Sequence, residues 1–241
     1  MSWRGATVAG VRPETPTART VALRVPGWPG HEAGQHLDLR LTAEDGYTAT
    51  RSYSIASVPD GESVEVTVER LKDGEVSSYL TDGAAAGAQV EVRGPVGGWF
   101  VWRPEQKEPV LLVGGGSGVV PLMSVVRRHR QAGSDAPLRL LYSVRDPDAI
   151  IYRDELESLS GDGLPVTYVF TRRRPEGWPR PAGRLDAALL AEAAFAPGEG
   201  ATSYVCGPTG FVEAVADLLV GAGHDPRRVR TERFGPSGGR S

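Results

Sequence analysis

The chain has 241 residues, of which 40% are hydrophobic and 24% charged, a composition typical of a folded protein. A net charge of −3 gives no reason to expect binding to nucleic acid, and the single cysteine, Cys206, excludes an internal disulfide, a four-cysteine zinc site and a cysteine-ligated iron–sulfur cluster. No apolar run approaches the roughly 18 residues of a membrane-spanning helix, and the N-terminal segment lacks the apolar core of a signal peptide, so we expect a cytoplasmic protein.

Residues 1–102 carry the pattern of short β-strands. In Val64–Glu69 the apolar residues occupy every second position, which is the period of a half-buried strand. Turn clusters that contain glycine or proline separate several such runs. The predicted strands are Thr17–Val25, His36–Leu41, Thr50–Ile55, Ser63–Leu71 and Gln89–Val92. Many short strands with glycine-rich turns indicate an antiparallel barrel or sandwich.

From residue 109 onward, unbroken apolar runs alternate with helical stretches, which indicates a parallel sheet covered on both faces. The predicted strands are Val110–Val113, Leu138–Val144, Pro165–Phe170 and Ser203–Cys206. The predicted helices are Val119–Arg130, Tyr152–Leu159, Leu185–Phe195 and Phe211–Leu219. The polar segment Arg103–Glu108 contains a proline and is the predicted linker, so we expect two domains, residues 1–105 and 106–241.

A glycine-rich segment, Gly114–Gly118, lies between a predicted strand and a predicted helix. Glycines allow a phosphate to approach the backbone, and a helix N-terminus supplies N–H groups and partial positive charge. The sequence reads Gly116-x-Gly118-x-x-Pro121, so the dinucleotide fingerprint is only partly met and a tight strand–helix turn is the alternative. A hydrolase nucleophile at Ser117 is excluded because Val119 stands where that motif requires glycine.

The segment Arg51–Ser57 has side chains that suit a flat, phosphorylated ligand. Arg51 and Tyr53 share one face of the predicted strand. An arginine fork matches a diphosphate, and a tyrosine ring can stack on an aromatic ligand. Ser54 can bond a ring nitrogen, although in an ideal strand it points the other way, so this role needs a twist or a strand end there. A strand with an internally satisfied Arg and Tyr is the alternative.

A third segment, Cys206-Gly207-Pro208, follows a predicted strand and precedes a predicted helix. Such loops lie at the carboxyl ends of parallel strands, where ligands bind in open α/β sheets. The thiol of Cys206 is small and polarizable and can abut a reacting ring. A buried structural thiol is an equally good interpretation.

Together these segments resemble the ferredoxin–NADP reductase superfamily, along nearly the whole chain and in the family's order. The matching segments are Arg51-x-Tyr53-Ser54, Gly74–Leu80, Gly94–Gly97, Gly114–Pro121 and Cys206–Pro208. The resemblance implies an antiparallel β-barrel domain that binds FAD, followed by an α/β parallel-sheet domain that binds NAD(P). In one departure, the family's aromatic residue after the Gly94–Gly97 turn comes one place late, at Phe100. Many relatives carry a fused iron–sulfur domain, which one cysteine cannot provide, so a stand-alone reductase is expected.

The resemblance also implies roles for individual residues. Tyr53 would stack on the flavin ring, Ser54 would reach its N5 edge, and Glu232 and Phe234 would lie beside it. The expected catalytic residues are Tyr53, Ser54, Cys206 and Glu232. The residues expected at the FAD diphosphate are Arg51, Gly74, Val76 and Ser77. Those expected at the pyridine nucleotide are Gly115, Gly116, Ser117, Gly118, Cys206, Gly207 and Pro208.

The implied activity is hydride transfer from NAD(P)H to FAD, followed by electron transfer to a separate carrier such as a ferredoxin or an oxygenase. One alternative is a reductase that acts directly on ferric iron, oxygen or a small molecule. Another is a non-catalytic FAD-binding electron-transfer or sensor subunit. A monomer is expected, and no metal site, nucleic acid or membrane enters this interpretation.

We expect NADPH to be preferred over NADH. Ser143 and Arg145 come at the end of the strand Leu138–Val144, where such folds read the adenine ribose, and an arginine there accommodates a 2′-phosphate. The resemblance implies the same pocket for both residues. Further cations expected there are Arg153 and Arg172. Two acids, Asp146 and Asp148, can instead bind the ribose hydroxyls and favour NADH.

Overall fold

The structure is a computed structural model of the chain, and it describes residues 2–43 and 45–235. The chain forms two compact units. The first contains the residues up to Arg103 together with Met123–Ala132, and the second contains Pro104–Leu122 together with the chain from Gly133 onward. The first unit therefore includes a stretch of helix that comes after the glycine-rich segment in the sequence.

The first unit is an antiparallel barrel of six strands. The strands are β1 Arg4–Pro13, β2 Ala18–Arg24, β3 His36–Thr42, β4 Thr48–Ser54, β5 Ser63–Glu69 and β6 Gln89–Val96. Their order in the sheet is β4-β3-β6-β1-β2-β5. A bridge from Ile55, just after β4, to Val66 of β5 joins the two edges of the sheet. The sheet therefore closes on itself, which confirms the antiparallel barrel.

The side chains at every second strand position point inward and fill this barrel. On β5 the valines Val64, Val66 and Val68 are fully buried, while β3 contributes Leu37 and Leu39 to the same core. Each such side chain contributes about 1.5–3 kcal/mol when it is removed from water. Between β5 and β6 the chain forms the short helix α1, Glu75–Ser78, and one π-helical turn, Tyr79–Gly83.

The second unit is built on a parallel sheet of five strands in the order β11-β10-β7-β8-β9. The strands are β7 Val110–Gly115, β8 Leu138–Val144, β9 Val166–Phe170, β10 Thr202–Pro208 and β11 Val229–Phe234. The helices after α1 are α2 Val119–Gln131, α3 Arg153–Gly161, α4 Ala187–Ala193 and α5 Thr209–Gly221. The central strand β7 is buried along its whole length, as its apolar run predicts, and the predicted parallel α/β sheet is confirmed.

The sequence pattern predicted neither β1 nor β11. In β1 only Ala6 and Val8 are buried, so the apolar alternation is too short to indicate a strand. In the part of the chain that the structure describes, the strand β11 pairs only with β10. It carries Arg230, Glu232 and Arg233, so it lacks the unbroken apolar run of a central parallel strand. Among residues 2–43 and 45–235, no helix has the length and apolar character needed to cross a membrane.

Candidate functional site

The end of β4 presents an arginine and a tyrosine on one face. Ala49 and Tyr53 both pack against the barrel core, but Arg51 between them is exposed, so this face of the strand is open to solvent at Arg51. The Arg51 guanidinium donates to the carbonyl oxygen of Thr50 at 2.7 Å. Burial raises the pKa of Tyr53, so its hydroxyl stays protonated. β4 ends at Ser54, which provides the strand end that a ligand-facing serine requires.

Two side chains, those of Arg127 and His31, hold the backbone that follows Ser54. Arg127 donates from Nη1 to the carbonyl oxygen of Ala56 at 2.7 Å, across 71 positions of sequence. His31 bonds through Nε2 to the carbonyl oxygen of Ser57 at 3.0 Å, and its Nδ1 accepts from the indole N–H of Trp28 at 3.2 Å. Burial lowers the pKa of His31, which favours the neutral ring. Because Nδ1 accepts the indole N–H, the proton of the neutral ring lies on Nε2. Sequence spacing gives no signal for such long-range bonds.

The helix α1 lies in the segment expected at the FAD diphosphate, and two of its side chains point away from solvent. Val76 is buried in the barrel core, and Ser77 is buried as well. The Ser77 hydroxyl donates to the carbonyl oxygen of Gly74 at 3.0 Å and accepts from the backbone N–H of Leu71 at 3.2 Å. Val76 and Ser77 can therefore offer a phosphate only their backbone N–H groups, which lie in the first turn and have no partner within the helix.

The glycine-rich segment links β7 to α2 through a tight turn, Gly116–Gly118. A Cβ on Gly115 would lie 2.7 Å from the ring of Phe211, and one on Gly118 would lie 2.1 Å from the carbonyl oxygen of Cys206. Gly116 has φ +56°, and no atom lies within 4 Å of the place that a Cβ would take there, so its backbone is bare on that side. Packing requires the glycines at 115 and 118, whereas Gly116 leaves room for a phosphate to reach the backbone.

The end of β10 places Cys206 beside Glu232 of the neighbouring strand. The two residues are paired in the β10–β11 register, and Cys206 is also paired with Gly114 of β7. Burial, together with the nearby Glu232, raises the pKa of the Cys206 thiol, so it stays neutral. Burial raises the pKa of Glu232 to about 7. This pair therefore offers a neutral thiol and a carboxyl group that exchanges its proton near neutral pH.

The other predicted residues at this edge are Gly207, Pro208 and Phe234, and the ring of Phe211 packs beside them. A Cβ on Gly207 would meet the ring of Phe211 at 2.7 Å, so Phe211 is wedged between Gly115 and Gly207. Pro208 is paired in register with Phe234, whose side chain is 37% exposed at the end of β11. The sequence analysis missed Phe211, although its position in the first turn of α5, directly after the Cys206 loop, was a usable signal.

The residues expected at the adenine ribose gather at the ends of β8 and β9. Ser143 is buried and paired with Gly115, while Arg145 and Arg172 are exposed. The carbonyl oxygen of Arg145 accepts the backbone N–H of Arg172 at 2.9 Å. Arg153 donates to the carbonyl oxygen of Pro147. The structure thus brings the predicted cations Arg145, Arg153 and Arg172 to one edge of the sheet.

The aromatic residues after the Gly94–Gly97 turn have different surroundings. Trp99 is 60% exposed, whereas Phe100 is 6% exposed. A Cβ on Gly34, which has φ +97°, would lie 1.9 Å from the carbonyl oxygen of Phe100. Phe100 is therefore part of the packed interior of the first unit, and Trp99 is the ring that faces solvent.

Comparisons with known proteins show the family. Residues 19–101 match the model described as the oxidoreductase FAD-binding domain, and residues 112–217 match the oxidoreductase NAD-binding domain. Ferredoxin–NADP reductase B of Sorangium cellulosum is 35% identical over 238 residues, which cover 95% of this chain and 96% of that protein. The chain belongs to the ferredoxin–NADP reductase superfamily. The expected resemblance is confirmed, as is the expectation of FAD-binding and NAD(P)-binding domains.

Other relatives are longer than this chain. The glycine betaine monooxygenase reductase subunit of Pseudomonas aeruginosa is 34% identical over 210 residues, which are 85% of this chain and 56% of that protein. The chain thus spans little more than half the length of that relative. The crystal structure of the cytochrome P450 reductase GcoB of Amycolatopsis is 27% identical with a TM-score of 0.83, and the match covers 98% of this chain and 70% of that one.

Proposed function

We propose that the protein is an FAD-dependent oxidoreductase that takes hydride from NAD(P)H and delivers electrons to a separate carrier, such as a ferredoxin-like protein or an oxygenase. The observation that carries the proposal is the open face of β4, where the exposed Arg51 lies between two residues packed against the core. An arginine in this position suits a diphosphate, and Tyr53 on the same face suits a flat ring. When bound, FAD supplies the chemistry that links a two-electron donor to one-electron acceptors.

The residues of the first unit would bind and orient the cofactor. Arg51 would neutralise the diphosphate, and the backbone N–H groups of Val76 and Ser77 would donate to it. Tyr53 would fix the plane of the ring, and the Ser54 hydroxyl at the strand end would reach a ring nitrogen. Arg127 and His31 would hold this strand end in place through the carbonyl groups of Ala56 and Ser57.

The residues of the second unit would bind the nicotinamide nucleotide and accept a proton. Gly116 would admit the dinucleotide phosphates, and the neutral Cys206 thiol would lie against the nicotinamide. When both electrons of a hydride pass on to one-electron carriers, its hydrogen is left as a proton, so the overall reaction needs a proton acceptor. Glu232, with its pKa raised to about 7, is suited to take up that proton at its carboxylate.

NADPH is proposed as the preferred nucleotide. Asp146 accepts the backbone N–H of Asp148 at 3.0 Å, and the Asp148 carboxylate pairs with Arg173. Both acids are therefore engaged with their own chain, while Arg145 and Arg172 are exposed at the same edge. This arrangement supports recognition of a 2′-phosphate by cations.

A separate acceptor is supported by relatives that are named as reductase components, among them the reductase subunit of glycine betaine monooxygenase and the ferredoxin reductase component of a 3-ketosteroid-9-alpha-monooxygenase. We further propose a cytoplasmic location, where a free thiol such as Cys206 stays reduced. We also propose that residues 1–105 bind FAD and that residues 106–241 bind NAD(P).

An anaerobic titration tests this function. The purified protein is reconstituted with FAD, acid release identifies the bound flavin, and NADPH or NADH is added before candidate carriers. We expect FAD, bleaching of the flavin by NADPH, and reoxidation by a ferredoxin-like carrier. Release of FMN, or failure to bleach with either nucleotide, contradicts the proposal. Turnover with ferric iron or oxygen, together with no turnover with a protein carrier, would instead indicate direct reduction.

A further inference from the structure

The chain segment after β9 lies along the segment after β8. The backbone N–H of Thr171 donates to the carbonyl oxygen of Val144 at 2.8 Å. The carbonyl oxygen of Arg145 accepts the N–H groups of Arg172 at 2.9 Å and Arg173 at 3.1 Å. These bonds hold the arginine run Arg172–Arg174 beside the turn that contains both Asp146 and Asp148.

Within this run, Arg173 pairs with both acids. Its Nη2 lies 3.6 Å from Oδ1 of Asp146 and forms a salt bridge with Oδ2 of Asp148. Arg153 approaches the same Asp148 carboxylate at 3.9 Å. The next residue, Arg174, differs, since it donates to the carbonyl oxygen of Trp178 at 2.7 Å. Two adjacent arginines of equal charge thus have different partners.

Carboxylates at this edge of the sheet oppose a 2′-phosphate. An acid at the end of the second parallel strand binds ribose hydroxyls and repels a phosphate, while a cation has the opposite effect. Arg145, Arg153, Arg172 and Arg173 with the two acids carry a net charge of about +2 at neutral pH. Loss of Arg173 lowers this charge and removes the partner that Asp146 and Asp148 share.

We propose that Arg173 sets the nucleotide preference by neutralising Asp146 and Asp148, so that neither acid is available to bind the ribose hydroxyls. Arg173 is thus a specificity-determining residue that acts through the acids and not as a ligand of the phosphate. The inference rests on the proposed function, because it concerns the same nucleotide site. Arg173 and Asp148 are 61% and 65% exposed, so their pair adds little to stability and its removal leaves the fold intact.

The experiment compares Arg173→Ala with the matched control Arg174→Ala, which removes an equal charge one residue away. Two quantities are measured: the ratio of kcat/KM for NADPH to that for NADH, and the Kd of adenosine 2′,5′-bisphosphate against that of adenosine 5′-phosphate. For Arg173→Ala we expect both preferences to fall at least tenfold, chiefly through a higher KM for NADPH. For Arg174→Ala we expect a change of about twofold or less, because the acids keep their partner.

A rescue experiment distinguishes an Arg173 that neutralises the two acids from one that binds the phosphate directly. Adding Asp146→Asn and Asp148→Asn to Arg173→Ala removes the acids that the arginine neutralised, so the preference should return to within about threefold of the wild type. The inference is overturned if Arg173→Ala leaves both ratios unchanged, if Arg174→Ala lowers them equally, or if the added asparagines restore nothing. The last result would make Arg173 a direct phosphate ligand.

Failure of the proposed function is distinguishable from failure of this inference. A wild-type protein that oxidises neither nucleotide contradicts the proposed activity, while the two adenosine phosphates still report the effect of Arg173→Ala. A wild-type preference for NADH contradicts the proposed choice of NADPH, while the change of the ratio between variants still tests Arg173.

Discussion

The backbone carbonyl of Cys206 occupies the space in which a side chain at Gly118 would lie. A Cβ built on Gly118 falls 2.1 Å from that oxygen and 2.8 Å from the backbone nitrogen of Gly207. Both obstacles are backbone atoms at the end of β10, so neither can swing aside as a flexible side chain would. The loops at the carboxyl ends of β7 and β10 can therefore approach this closely only because residue 118 is a glycine. Any other residue there would require the strands to move.

Gly118→Ala tests this contact. We expect a loss of about 1–3 kcal/mol or more in the free energy of unfolding, because the added methyl group forces the two loops apart. Nucleotide binding should weaken with it. Urea unfolding and titration with NADPH measure the two effects. Gly210→Ala is the control, since a Cβ on Gly210 in α5 would have no atom within 4 Å beyond its own stretch of helix. Alanine there should be neutral or stabilising by about 0.5–1 kcal/mol. Equal stability of both variants would refute the tight contact.

Glu232 should make stability depend on pH. Its pKa is about 7 in the folded protein against 4.5 ordinarily, so between these values the unfolded chain releases a proton that the folded protein keeps. Stability from this group is therefore present below pH 4.5 and falls as the pH rises to 7, by up to about 3 kcal/mol. Glu232→Gln carries no such proton, so its stability relative to the wild type should increase from pH 5 to pH 8.

Urea unfolding at pH 5, 6, 7 and 8 measures this difference for Glu232→Gln. The control is Glu213→Gln on α5, which makes the same replacement at an exposed side chain. A difference for Glu232→Gln that changes with pH no more than that of this control would show that the folded environment does not hold the proton.

Arg51→Ala should weaken FAD binding more than it changes folding. A charge-assisted bond to a phosphate contributes about 1.5–3 kcal/mol, which corresponds to roughly a 10- to 100-fold rise in the Kd of FAD. Fluorescence titration of the apoprotein measures this Kd, and thermal unfolding without FAD checks the fold. Arg24→Ala is the control, because Arg24 is 75% exposed at the end of β2 and should leave FAD binding unchanged. An unchanged Kd for Arg51→Ala would remove Arg51 from the diphosphate site.

Arg127→Met should loosen the strand end after Ser54. The methionine keeps the apolar stem but removes the donor to the carbonyl oxygen of Ala56, which should cost about 1–2 kcal/mol of stability. The neighbouring Arg128→Met is the control, since Arg128 bonds only the exposed Gln131 among its described side-chain partners. Faster FAD dissociation from Arg127→Met, with Arg128→Met unchanged, would support the positioning role. Equal behaviour of the two variants would contradict it.

Local patterns predicted the elements whose side chains follow one clear period. The strand Ser63–Glu69 matches its alternating valines, and the helix Val119–Gln131 begins at the predicted residue. Short-range patterns could not predict that Phe211 is wedged between Gly115 and Gly207, because this contact depends on the order of strands in the sheet. For the same reason the sequence identified the loops at Gly118 and Cys206 separately but gave no sign that they touch.

The segment Met123–Ala132, which contains most of α2, belongs to the same compact unit as the barrel, although it follows the barrel in the chain. Within that unit the backbone N–H of Gly34 donates to the Ser124 hydroxyl at 3.0 Å, and the ring of His129 lies 5.4 Å from that of Trp102. During synthesis the six strands leave the ribosome first, and domains generally begin to fold as they emerge. The helix segment that completes the first unit is synthesised only after the glycine-rich loop. The first unit can therefore reach its final packing only when synthesis of the second unit has already begun.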